Sequence, residues 1–225
     1  MTLTASDLDF LDLRPRFERP LLAVGAQAPA ADVYARLVAR YSESHRSYHT
    51  LAHVDACLAW LDWYHGVAER PAEVELALWF HDAIYDPLAS DNERRSAELA
   101  RDELTALAVP RASRERIAAY VEVTERHFAT GDGALVVDLD LTILAARPPD
   151  FARFEQQIRR EYAHVPDPLF RAGRRQVLER FLLRPQIYQL QQLRDALERR
   201  ARDNLERRIV ELTAADSDAP HSASA

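Results

Sequence analysis

Two short stretches concentrate residues that can bind a metal ion or move a proton. His49 and His53 stand four apart in YHTLAHVD, and His81 lies beside Asp82 in WFHDAIYD. Four residues on a helix bring two imidazoles onto one face, one turn apart. Such a pair can ligate one ion together, or one ring can ligate while the other faces a substrate. Surface or capping histidines would show the same spacing. HTLAH also lacks the Glu of HExxH, so a zinc-protease reading fails at its general base. His81-Asp82 is more informative. It follows the apolar ELALWF, and a carboxylate there is unfavourable unless it is paired or coordinates a cation. Asp138 and Asp140 interrupt the apolar LVVDLDLTIL in the same way. On a helix they face different directions, so one of the two points into a shared site. His53, His81, Asp82 and Asp140 then form a two-histidine, two-carboxylate set. It suits a divalent ion that accepts nitrogen and oxygen, such as Mn, Co, Ni, Fe, Mg or Zn. The set contains no Cys ligand, which argues against a structural zinc site.

Helices must position these groups. Gly is scarce, at five of 225 residues, and Ala, Leu, Arg and Glu dominate, all strong helix formers. Helical periodicity begins near Ala31, and Ser42–Ser47 is a polar loop. A helix is expected from about His49 to Val67. A further helix starts at Pro71 and runs through PAEVELALWFHDAIY, ended by Asp86-Pro87 because the residue before proline avoids the α region. Ser90 or Asp91 is placed to cap DNERRSAELARDELTAL, and Ser113 to cap RERIAAYVEVTERHF. Gly131-Asp132-Gly133 is a turn. ALVVDLDLTIL alternates as a strand would, but a lone strand has no partner here, so helix is preferred. DFARFEQQIRREYAHV, DPLFRAGRRQVLERFLL and a long segment from Pro185 to Thr213 complete an all-α chain. The organisation expected is an N-terminal extension over 1–30, a single helical domain over 31–213 and a disordered tail over 214–225.

Composition narrows the function classes. A net charge of −7 argues against general nucleic-acid binding. Cys57 is the only cysteine, so no intramolecular disulfide can form, and its setting reads as a buried helix face. No apolar run approaches the roughly 20 residues that span a bilayer, and the acidic start lacks the pattern of a signal peptide. A cytoplasmic location is the expectation. The Glu/Arg-rich C-terminal helix is a solvated face or a partner-helix surface, which allows a homodimer.

The ordered set H…HD…D in a helical context resembles the HD superfamily of metal-dependent phosphohydrolases. The nearer resemblance is to a bacterial family of predicted HD-type metal-dependent phosphohydrolases. It is carried by YSESHRSYHTLAHV, LALWFHDAIYDP, DNERRSAELA, DLDLTILAA, GRRQVLERFLLRPQIY and ARDNLE, which span roughly residues 41–206. The HD dipeptide alone is weak, whereas the ordered set is specific. The resemblance implies an HD-like helical bundle with His53, His81, Asp82 and Asp140 as ligands, Asp138 being the alternative to Asp140. YHTLAH also resembles the YHNxxH segment of cyclic-nucleotide phosphodiesterases, in which the first His protonates the leaving group. That puts His49 in the role of general acid, with a departure at Thr50 where those enzymes have Asn.

The expected activity is hydrolysis of a phosphoester or phosphoanhydride of a small phosphorylated molecule, a nucleotide being one option. A metal ion acidifies a bound water, Asp82 or Asp140 orients or deprotonates it, and an imidazole near its ordinary pKa can donate to the departing oxygen. Arg46 could clamp a phosphate as a bidentate donor. Asp86, Asn92 and Glu93 follow the HD helix and could support the site or touch substrate, although Asn92 and Glu93 equally suit a first helical turn. His127 could serve substrate or a second ion. A non-catalytic nucleotide-binding or protein-interaction module is the main alternative. A di-iron oxygenase is weaker, for want of ligands.

Overall fold

The structure is a computed structural model that describes residues 12–217. Within them the chain is all-helical, with ten α-helices, three short 3-10 turns and no strand. The helices are α1 Arg14–Ala23, α2 Ala31–Tyr41, α3 Leu51–Tyr64, α4 Pro71–Phe80, α5 Asn92–Ala106, α6 Arg111–Glu122, α7 Asp132–Asp140, α8 Pro148–Glu161, α9 Asp167–Leu182 and α10 Gln191–Ser217. The chain forms two compact units, divided between Asp140 and Leu141. No helix of the described residues is long and apolar enough to cross a membrane.

In the first unit α4 is central and packs against α1, α3, α5, α6 and α7. Every residue from Glu73 to Phe80 is buried, as an apolar sequence without a polar stripe demands. The two charges it buries are both paired. The Glu73 carboxylate accepts from Arg116 Nε (2.7 Å) and Nη2 (2.6 Å), and Glu75 accepts from Arg19 Nη2. The segment expected to be an N-terminal extension is, from Arg14, part of this packing. Phe17 of α1 is fully buried and meets Trp79 edge-on at 5.3 Å.

Three helix ends differ from expectation, each for a local reason. α3 starts at Leu51 rather than His49, because Thr50 takes an extended backbone (φ −118°, ψ 177°) as the residue before the helix. α4 stops at Phe80 instead of continuing to Tyr85. The carbonyl of Leu78, which would accept the next helical bond, accepts His81 Nδ1–H (2.9 Å), that of Trp79 accepts the Tyr41 hydroxyl (3.0 Å), and Ala83 N–H falls back to Phe80 O. α6 starts at Arg111, so Ser113 lies in its first turn rather than capping it. ALVVDLDLTIL is helical: α7 followed by the 3-10 turn Leu141–Ala145.

The second unit holds α8, α9 and α10. One of its buried charges is Glu155, 3% exposed, held by Arg174 of α9 and Arg208 of α10. Arg174 is thus a packing partner. The long C-terminal helix extends through Ser217, and residues 218–225 of the expected tail lie outside the described residues.

Candidate metal centre

Three helices of the first unit deliver the donor set. α3 carries His53 in its first turn, α4 ends immediately before His81 and Asp82, and α7 ends at Asp140. The four side chains converge. His53 Nε2 stands 3.0 Å from His81 Nε2, 3.1 Å from Asp140 Oδ1 and 3.5 Å from Asp82 Oδ2. His81 Nε2 stands 3.0 Å from Asp82 Oδ2 and 3.7 Å from Asp140 Oδ1. Donors at about 2.1 Å from one ion lie about 3.0 Å apart at octahedral right angles and about 3.4 Å apart in a tetrahedron. Three of the five spacings fall in that range and the other two, 3.5 and 3.7 Å, lie just above it, so these groups could hold one ion. His53 and His81 are 5% and 1% exposed.

The orientation of His81 is fixed from behind. Its Nδ1–H donates to Leu78 O at 2.9 Å, which leaves Nε2 directed at the other donors. A backbone partner on the far nitrogen is the usual support of a ligating imidazole.

Electrostatics ties the set together. Burial disfavours charge on His81, but Asp82 and Asp140 outweigh it and hold its pKa well above the usual imidazole value. Burial likewise opposes ionisation of Asp82, yet His81, His49 and His53 keep that carboxyl far below its ordinary range. Asp140 behaves alike, its burial overcome by His127, His53 and His81. Two clustered acids therefore stay ionised beside four imidazoles, an arrangement in which a bound cation would take the place of imidazole protons.

Comparison of the chain with protein-family models, curated proteins and solved structures found no match.

Asp140, and not Asp138, belongs to the donor set. Asp138 is fully buried elsewhere on α7. His127 joins the set from the turn after α6, with Nε2 at 3.3 Å from Asp140 Oδ2, the oxygen opposite the one facing His53. Its backbone is left-handed (φ 47°), a region His enters more readily than most residues. Glu93 sits in the first turn of α5, half-buried, within the fields of Asp82 and His127.

His49 lies outside the helix, so its proximity to His53 does not come from a shared helix face. Its ring stands 6.2 Å from the His53 ring and stacks on Tyr85 at 4.1 Å. Tyr85 also stacks on His45, whose Nε2 is 2.8 Å from the Tyr85 carbonyl. Tyr48 packs on His53 at 4.7 Å.

Two expectations for substrate contact are corrected. Arg46 does not line an open site: its side chain is fully buried, and its donors meet Glu43 and the carbonyls of His49, Asp82 and Ala83. The Asn92 amide is taken up by the backbone of Asp86, whose own carboxylate is exposed and accepts Leu88 N–H. Asp86 N–H donates to Asn92 Oδ1 (3.0 Å), and Asn92 Nδ2 donates back to Asp86 O (2.9 Å), closing the loop between α4 and α5.

Cys57, read as structural, is buried directly under the site. Its Sγ is 3.8 Å from both ring nitrogens of His53 and 3.8 Å from Leu139 O. Equal distances put the sulfur off the line of either nitrogen lone pair. Burial first, and then Asp140 and Asp82, push its pKa well above the usual thiol value. The signal was present in the sequence, since Cys57 is four residues beyond His53 on one helix face.

Proposed function

We propose that the protein is a metal-dependent phosphohydrolase acting on a small phosphorylated molecule. The observation that carries the reading is the convergence of His53, His81, Asp82 and Asp140 at 3.0–3.7 Å, the same ordered H…HD…D set that resembles the HD superfamily. The set is mixed nitrogen and oxygen, which suits Mn, Co, Ni, Fe, Mg or Zn. A divalent ion held there supplies an acidified water and neutralises phosphoryl oxygens.

The chain's own groups perform the rest. Asp82 and Asp140 are ionised and can orient the attacking water and take its proton. His49 stands beside the set, held flat against Tyr85, where it can donate a proton to the departing oxygen. His127 extends the donor arc on the far side of Asp140. Its side chain is 28% exposed, so it is open to substrate as well as to the carboxylate.

The test is a metal-by-substrate screen. Metal-stripped protein is reloaded with each of the six ions and offered nucleotides and simple phosphoesters, with Asp82→Ala as control. Turnover by wild type and none by the variant supports the reading. Metal binding without turnover across the panel favours a non-catalytic binding module. Protein that takes up no divalent ion under any loading condition removes both readings of the centre.

A further inference from the structure

Arg46 is unusual among the 29 arginines of the chain. Its side chain has no exposed surface, and its guanidinium is fully engaged. Nε–H donates to Glu43 Oε2 at 3.0 Å. Nη1 donates to His49 O at 3.0 Å and to Asp82 O at 2.7 Å, and Nη2 donates to Ala83 O at 3.1 Å. The cation also sits over the rings of Tyr41 (5.2 Å) and Tyr85 (5.5 Å). Three of these acceptors are backbone carbonyls, and they come from two segments that are not otherwise continuous. One is the loop before α3, which presents His49. The other is the turn after α4, which presents Asp82.

A planar guanidinium presents several donors in one rigid fork, whereas an ammonium presents a point charge on a flexible stem. The fork therefore imposes a fixed spacing between the His49 peptide and the Asp82–Ala83 peptides. The ring stacking of His49 on Tyr85 lies on the same junction, since Tyr85 is two residues beyond Ala83. We infer that Arg46 is a positioning residue of the centre: it sets the proton-donor loop and the Asp82 turn against each other, so that both reach the site in one register. The inference rests on the proposed roles of His49 and Asp82 and adds how the chain couples them. Glu43, at the rim, keeps the guanidinium turned toward the carbonyls.

The experiment is Arg46→Lys, read in the intact chain by three measurements. Thermal melting reports the fold. Nitrogen-labelled histidine NMR of the metal-free protein reports the His49 ring, with His164 of the second unit as the internal reference. Calorimetric titration with Mn²⁺ alone reports the Asp82 side. The expected result is a folded variant with displaced His49 resonances, an unmoved His164, and Mn²⁺ affinity weakened by about 10- to 100-fold, the range for partners that orient ligands. A folded variant with a lower Tm, unmoved His49 resonances and wild-type Mn²⁺ affinity overturns the inference, because Arg46 then only supports the fold. Should Arg46→Lys fail to fold, Glu43→Ala carries the test. It removes the Nε partner, together with a 3.6 Å contact to His45 Nε2, and is expected to move the same His49 resonances by less, and unmoved resonances overturn the inference. On any phosphoester that wild type hydrolyses, Arg46→Lys should lower kcat and leave KM unchanged. A wild type that binds Mn²⁺ without turnover removes the hydrolase reading alone, and the NMR and titration readouts still decide the role of Arg46.

Discussion

Asp140→Asn is the sharpest perturbation of the centre. The substitution keeps the shape of the side chain and one oxygen. It removes one of the two negative charges of the donor set, and it turns an amide NH₂ toward imidazoles that stand at 3.1 Å (His53) and 3.3 Å (His127) from the native carboxylate. The effect can be read as heat stability, because an ion that binds only the folded chain adds RT ln(1 + [L]/Kd). At Mn²⁺ one hundred times above its Kd that is about 2.7 kcal/mol. A chain of this size gains roughly 2–4 °C per kcal/mol, so wild type should melt about 5–11 °C higher with Mn²⁺ than in EDTA. Partners one shell removed from a metal are worth 10- to 100-fold in affinity, so a direct ligand should be worth at least about 100-fold. At the same Mn²⁺ concentration the variant is then near its own Kd, where the gain is about 0.4 kcal/mol, or roughly 1–2 °C. Asp138→Asn is the matched control, two residues away on α7 and fully buried but outside the donor set. It should lower the EDTA melting point and keep the Mn²⁺ increment. Equal increments in wild type and Asp140→Asn would refute the assignment, and an increment lost only in Asp138→Asn would mean that the wrong carboxylate has been placed at the ion.

Other perturbations test the surroundings. Arg116→Met leaves Glu73 as a buried, unpaired carboxylate on α4 and should cost about 3–5 kcal/mol in denaturant titrations, with most of it recovered when Glu73→Met is added. Glu93 has its pKa raised, by burial first and then by Asp82, against its own backbone amide and His127. An unfolded chain releases that proton at lower pH than the folded one, so stability is lost as pH rises from the unfolded to the folded pKa and stays lost above it. In EDTA, Glu93→Gln should therefore raise Tm at pH 7 and have a smaller effect at pH 4, and a lower Tm at pH 7 would contradict the sign. Cys57 is buried with its thiol kept protonated, so an aromatic disulfide reagent at pH 8 should leave it unmodified in the native chain and label it fully in denaturant.

The helical class was legible in residue type and local spacing, whereas the candidate donor set was suggested by carboxylates in apolar runs and by the family resemblance, with Asp138 and Asp140 left as alternatives. The choice between strand and helix for ALVVDLDLTIL was decided by the lack of a partner strand. What the sequence hid was long-range competition for backbone groups. Periodicity carries α4 through HDAIY, but Tyr41 takes the Trp79 carbonyl, Arg46 takes those of Asp82 and Ala83, and Ser96 Oγ takes the Ile84 N–H. These partners lie 12 to 38 positions away in the chain. Arg46 was misread for the same reason. An arginine in a polar loop suggests a phosphate clamp, and only the fold shows that its acceptors are peptides. His127 gave no local signal beyond being a histidine after a helix, since its approach to Asp140 depends on a left-handed residue that no pattern announces.

The carboxylate of Asp132 accepts the backbone N–H groups of Glu69 and Arg70, both at 2.8 Å, just before α4. Asp132 is also the first residue of α7. The two helices are thus pinned together where they begin, and their far ends meet again at His81 and Asp140. They act as parallel struts of nearly matched length, 10 and 9 residues. Parallel struts also align their peptide dipoles, so two partially negative C-terminal ends converge on the place a cation would occupy. Such a frame tolerates changes of side chain along its length far better than a change in count. One residue inserted between 133 and 139 would advance Asp140 by about 1.5 Å and swing it through about 100°, carrying the carboxylate out of the centre while the composition of the helix stayed almost the same.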